Sequence, residues 1–166
     1  LDDQKRAIGH FERAIQIEPS YAPAHAALSM AWQKWGSQLP APLKEFEPQA
    51  RAAARKALEL DGQLSEAHAA QGFLQFFYDW DWKGGENSIK RALELDPNSL
   101  DAHYNYAVLL MALGRFSEAL TEIQFAERVD PLSHQVQVLF GHMLYRAGKH
   151  DEAALRLTQA IEREPR

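Results

Sequence analysis

The chain has 166 residues, a formal net charge of −5, 46% hydrophobic residues and no cysteine. The hydrophobic content supports a packed protein over a disordered one. The acidic balance, with Lys and Arg scattered singly, argues against nucleic-acid binding, and the missing cysteines exclude disulfides, zinc–thiolate sites and thiol nucleophiles.

No apolar run approaches the roughly 18 residues that cross a bilayer, and the N-terminus lacks a signal-peptide pattern. No membrane insertion is expected of this segment, and a soluble, cytoplasmic location is preferred, although the composition leaves the compartment open.

An Ala-x4-Pro signature recurs in chain order: Ala14 to Pro19, Ala92 to Pro97, Ala126 to Pro131 and Ala160 to Pro165, with Ala57 to Gly62 as a variant. Its alanines fall 43, 35, 34 and 34 residues apart. A period of about 34 residues marks helix–turn–helix repeats, which pack only against their neighbours.

Residues 1–19 are read as the second helix of a first unit, with the apolar stripe Ala7-Ile8, Phe11, Ala14-Ile15 at helical spacing. Residues 20–62 form a unit with nine surplus residues near 36–48. Pro40, Pro42 and Pro48 predict a rigid non-helical connection there, with a short helix around Leu43–Phe46. Residues 63–97 form the next unit, with one extra residue in the turn Tyr78-Asp79-Trp80-Asp81-Trp82, where Asp81 is expected to cap the following helix. Residues 98–131 and 132–166 complete the series, with turns at Gly114 and Gly148. Prolines stop each second helix.

The units Ala107…Gly114-Arg115-Phe116-x2-Ala119-x6-Ala126-x4-Pro131 and Gly141…Gly148-Lys149-His150-x2-Ala153-x6-Ala160-x4-Pro165 resemble the tetratricopeptide repeat family. The resemblance covers nearly the whole chain. It implies an all-α fold: a right-handed α-solenoid of antiparallel helix pairs, about four and a half units long.

The Tyr78–Trp82 turn further resembles repeat regions that accompany bacterial serine/threonine kinases, cyclases and winged-helix regulators. That narrower resemblance implies a signalling role.

The family resemblance implies a non-catalytic protein-interaction scaffold that holds a peptide in a concave groove lined by first helices. The family's groove-facing spacing selects Met30, Gln33, Lys34, Phe73, Phe76, Phe77, Tyr104, Asn105, Val108, Met111, Val138, His142, Tyr145 and Arg146. Aromatics, methionine and arginine are the types that dominate binding hot spots, so an apolar or aromatic partner segment is expected.

The family's two-carboxylate clamp for acidic chaperone tails needs Lys, Asn and Arg on successive first helices. Here Ala26, Met30, Ala70, Asp101 and Asn105 stand in its places, which argues against an acidic tail.

Gln71 and Gln75 occupy inward places that are held elsewhere by Leu28 and Trp32, Tyr106 and Leu110, and Phe140 and Leu144. A buried amide costs about 1–3 kcal/mol unless bonded. They must therefore meet polar partners, or the helix must rotate and turn Phe73, Phe76 and Phe77 partly inward.

Two rival readings stand beside the scaffold. One is a regulatory segment of a larger multidomain signalling protein, acting in cis. The other is an enzyme or carbohydrate-binding domain that uses the Asp79–Trp82 turn, where Asp79-Trp80-Asp81 is similar to a metal-binding Asp-x-Asp. His25, His68 and His103 recur at equivalent places and lack ligand spacing, and no catalytic or phosphate-binding motif occurs. No metal or cofactor is expected.

Leu1 begins at a second helix and Arg166 follows the last proline without a capping helix. This predicts a segment of a longer array whose uncapped ends self-associate.

Overall fold

A computed structural model describes residues 2–38 and 46–163 of the chain. Among the described residues there are nine helices and no strands: α1 (Asp2–Ile17), α2 (Ala22–Gln38), α3 (Glu47–Leu60), α4 (Ser65–Phe77), α5 (Trp82–Leu95), α6 (Leu100–Ala112), α7 (Phe116–Val129), α8 (His134–Arg146) and α9 (His150–Arg163). Odd-numbered helices are the second helices of the repeat, even-numbered ones the first. The chain divides into two compact units, Leu1–Pro97 and Asn98–Arg166.

The helix ends follow the sequence chemistry. After α6 and α8 the turns pass through Gly114 (φ 75°) and Gly148 (φ 79°), left-handed conformations that glycine adopts without strain. Asp61, with an extended backbone, and Asp130 terminate α3 and α7. Their carboxylates accept from the backbone N–H of Gln63 (2.8 Å) and Leu132 (3.1 Å), which folds the turn into the next first helix. Asp81 caps α5 by accepting from Gly84 N–H at 2.9 Å, as expected. Trp82, Phe116 and His150 each open a second helix, so the extra residue of the Tyr78–Trp82 turn is absorbed before α5 begins.

Pro48 does not belong to the non-helical connection. It lies in the first turn of α3, where the missing N–H is no loss because that position has no intrahelical acceptor. The short helix expected around Leu43–Phe46 falls on 39–45, outside the described residues; Phe46 itself is the residue before α3.

In the first unit, Ala26, Ala57 and Ala67 form one fully buried cluster, and Ala50, Ala54, Ala70 and Leu74 form a second. Alanines at these places let helix axes approach closely. Gly72 and Gly85 let α4 and α5 approach closely: a Cβ on Gly85 would stand 2.8 Å from Phe76 Cβ and 3.0 Å from Gly72 O.

Buried hydroxyls then tie helices together. Ser29 Oγ donates to Ala50 O at 2.8 Å, and Ser65 Oγ to Ala92 O at 2.9 Å. At the end of α2, Trp32, Trp35 and Phe46 stack with ring centroids about 6 Å apart, which joins α2 to the start of α3.

The recurring histidine place has a structural role. His25 Nε2 donates to Pro19 O and His68 Nε2 to Gly62 O, both at 3.0 Å. In the last repeat Gln137 stands there and donates to Pro131 O at 3.2 Å. Each side chain ties a first helix to the turn before it, satisfying a carbonyl that the proline or glycine turn leaves without a helical donor. In the second unit, His103 meets Glu122 (Nδ1 to Oε2, 2.6 Å) and stacks on Phe125 at 3.9 Å, which holds α6 to α7.

Candidate binding faces and the furrows behind them

Residues two apart on a helix point about 200° from one another, so each first helix has two opposed surfaces. One carries the candidates selected from sequence. In α2, α4 and α8 the other floors a furrow.

On the first surface of the first unit, Phe73 and Phe77 stack at 4.9 Å with rings 16° apart, and Phe77 is 40% exposed. Tyr78 meets both rings edge-on, at 6.3 and 5.2 Å. Met30 is half-buried against the Ala50–Leu74 cluster, and Lys34 is exposed.

On the same surface of the second unit, Tyr145 is 60% exposed and tilts against His150 at 5.0 Å. His142 and Arg146 are exposed, and the Arg146 guanidinium lies 5.9 Å from the Phe116 ring centroid. Val108, Met111 and Val138 are half-buried. Tyr104 is largely buried and hydrogen-bonds to Gln135; burial pushes its phenol above the ordinary tyrosine value while that bond pulls it back.

Three candidates belong to the interior. Gln33 is 5% exposed: its amide donates to Ser29 Oγ at 3.0 Å and to Ala70 O at 3.1 Å, which fastens α2 to α4. Phe76 is 2% exposed and stacks on Trp82 at 6.4 Å. The absence of a Cβ on Gly85 opens the space that Phe76 fills. Asn105 is 7% exposed. These three are removed from the contact surface. The cause is the same in each case: groove spacing transfers the direction of a side chain but not the local depth of packing.

The opposite surfaces form furrows. One runs between α1 and α3 over Leu28 and Trp32, and another between α7 and α9 over Phe140 and Leu144. The furrow beside α3 and α4, about 460 Å³, is floored instead by Gln71 and Gln75. Gln75 Oε1 accepts from Ser88 Oγ at 2.7 Å, so one glutamine meets the expected polar partner, and both are half-exposed. Of the three phenylalanines, Phe76 is buried while Phe77 stays exposed.

Arg51 closes one end of this furrow. Its guanidinium grips Asp79 through two bonds, 3.1 and 2.8 Å, and Glu47 through two more, 3.0 and 2.7 Å. The Asp79 bond, as the largest cause, raises the Arg51 pKa above its ordinary value. Sequence reading did not select Arg51 and Arg55. The available signal was their spacing of four on α3, which puts two cations on one helix face.

Asp79 and Asp81 are thus both occupied, one by Arg51 and the other by the α5 N-terminus. Trp80 between them is 70% exposed and meets Trp82 edge-to-face at 5.6 Å. Among the described residues no group of three or more His, Asp or Glu side chains is placed to hold a metal ion. None of their helices is long and apolar enough to cross a membrane.

Residues 81–139 match the family model of the tetratricopeptide repeat. Small glutamine-rich tetratricopeptide repeat-containing protein 2 of Mycosarcoma maydis is 26% identical over 85 residues. That match takes in 51% of this chain and 24% of that protein, so the chain spans about a quarter of its curated relative.

Among solved structures, MamA superposes with a TM-score of 0.61 at 19% identity, over 98% of this chain and 89% of that one. PilW, a widely conserved type IV pilus biogenesis factor, gives 0.69 at 16% identity over 98% and 70%. YrrB, a TPR protein with an unusual peptide-binding site, gives 0.60 at 20% identity over 99% and 79%. These likenesses concern the fold. Residues 81–139 are tetratricopeptide repeats, and the helix pairs around them carry the same fold. Such repeats are in general non-catalytic scaffolds for protein–protein interaction.

Proposed function

We propose that the protein is an interaction scaffold whose first-helix faces bind an apolar or aromatic segment of a partner protein. The observation that carries this reading is the exposure of aromatic rings on those faces, Phe77 in the first unit and Tyr145 in the second. Both rings are held by neighbours, Phe77 by Phe73 and Tyr145 by His150, so little side-chain freedom is lost when a partner covers them. Lys34 and Arg146 border these faces and orient the partner's polar groups. The similarity to YrrB, a TPR protein with a peptide-binding site, supports a peptide ligand.

The experiment is to place a photo-crosslinking phenylalanine at 77 or 145 in the source cells and identify what is captured. Affinity for that partner is then compared between the parent and the Phe77→Ala/Tyr145→Ala variant. Hot-spot aromatics are each worth about 2 kcal/mol when central, so the double variant should bind at least tenfold more weakly with an unchanged circular dichroism spectrum. Unchanged affinity in the folded double variant would sink the reading.

A further inference from the structure

We infer that the furrow between α3 and α4, on the side of α4 opposite Phe73 and Phe77, is a second and separate binding site. It takes an extended peptide segment that carries an acidic side chain. The repeats supply their own reference. At the equivalent places of two other furrows the floor is apolar, Leu28 with Trp32 and Phe140 with Leu144. Here alone among these three the floor is a pair of amides, Gln71 and Gln75.

Glutamines used for structure in this protein look different. Gln33 is buried with two hydrogen bonds, and Gln137 is buried with bonds to Glu127, Pro131 and Arg156. Gln71 is half-exposed, lines the furrow and has no side-chain hydrogen bond among the described residues. Gln75 spends its oxygen on Ser88 and keeps its NH2 group for a ligand.

The spacing fits a peptide backbone. Two residues four apart on a helix are separated by about 6 Å along the axis. Alternate residues of an extended chain are about 6.6–6.8 Å apart. A side-chain amide offers both a donor and an acceptor, which match a peptide carbonyl and N–H. Two such amides at this interval can address alternate peptide groups of one extended strand.

Charge selects the segment further. Arg51 is saturated by Glu47 and Asp79, but Arg55 is 77% exposed and among the described residues reaches only Glu59, also on the furrow wall, at 3.9 Å. An acidic side chain on the bound strand would give Arg55 a closer partner. Leu58 and Leu74 on the furrow walls accept apolar side chains.

The test screens the labelled chain against a synthetic array of 12-residue peptides of varied sequence, then measures each captured peptide by fluorescence anisotropy. Three variants are compared with the parent. Gln71→Leu/Gln75→Leu installs the apolar floor of the other furrows and should keep the fold. Gln71→Glu keeps the size and shape of the side chain but repels an acidic strand. Phe77→Ala/Tyr145→Ala alters only the first-helix faces.

The expected result is a set of peptides containing Asp or Glu that bind at least tenfold more weakly to both Gln71 variants and equally well to the aromatic variant. If no peptide is captured, or every captured peptide binds the Gln71 variants as tightly as the parent, the furrow is not a peptide site. Peptides lost only with Phe77 and Tyr145 would uphold the first-helix reading while overturning this one.

Discussion

The guanidinium of Arg156 on α9 lies 3.9 Å from the ring centroid of Phe140 on α8. It also donates to Glu127 on α7 and, at 2.9 Å, to Gln137 on α8. One planar cation therefore joins three helices, by stacking on one side chain and hydrogen-bonding to two others. Lysine has the same charge but neither the plane nor the fork.

Arg156→Lys should consequently lower unfolding stability by about 1 kcal/mol, the scale of a partly desolvated cation–π contact. A double-mutant cycle with Phe140→Leu, read by urea denaturation, should return a coupling of about 0.5–1 kcal/mol. Strict additivity would mean that the stack contributes nothing.

Glycine substitutions should act with opposite signs at two positions. On Gly85 a Cβ would meet Phe76 Cβ at 2.8 Å and Gly72 O at 3.0 Å. The second contact is backbone and cannot move aside cheaply, so Gly85→Ala should destabilise by about 1–3 kcal/mol. Gly9 lies within α1, exposed, with nothing within 4 Å of an added Cβ. There Gly9→Ala should stabilise by about 0.5–1 kcal/mol through helix propensity. Thermal unfolding of the two variants should move the midpoint in opposite directions.

The repeat period, the turn glycines and the Asp81 cap were legible in the sequence because they are local: each depends on residues within a few positions of one another. Pro48 looks like a break in the sequence because proline both ends helices and is favoured in a first helical turn, and composition alone does not distinguish the two uses. Depth was not legible. Gln33 and Phe76 share the groove spacing of Lys34 and Phe77, yet their burial is set by Ala70 and Gly85 on other helices. The Gln71–Gln75 anomaly was visible as a departure from the repeat. Its surroundings were not, because Arg51 and Asp79 meet across 28 residues of sequence.

Trp80 has φ 57° and is the one described non-glycine residue with positive φ. An L-residue pays about 1–2 kcal/mol in a left-handed conformation. Trp80→Gly relieves this cost, while the greater freedom of glycine in the unfolded chain offsets about 0.4–1 kcal/mol of the gain. The edge contact with Trp82 is also lost. The net change should lie within about 0.5 kcal/mol of zero. Trp80→Val keeps the strain, adds β-branching and loses the same contact, so it should be destabilising by more than 1 kcal/mol. Equal stabilities for the two variants would show that the backbone at this turn relaxes freely.

Alkaline pH should weaken the second unit through Tyr104. Its folded pKa is raised, mainly by burial, whereas an unfolded tyrosine ionises near 10. Below that value both states hold the proton and the contribution of the buried neutral phenol is intact. As pH rises through the unfolded pKa toward the higher folded one, the unfolded chain releases its proton first, and stability falls. Tyr104→Phe removes the ionisation along with the bond to Gln135, so it should lower stability at neutral pH by about 1 kcal/mol and flatten the decline above pH 10. Tyr78 in the first unit is raised for the same reason, so Tyr78→Phe should remove a separate part of the alkaline slope. Denaturant midpoints measured from pH 7 to 11 would decide it: a Tyr104→Phe curve parallel to the parent's throughout would mean that the phenol ionises in the folded chain as readily as in the unfolded one.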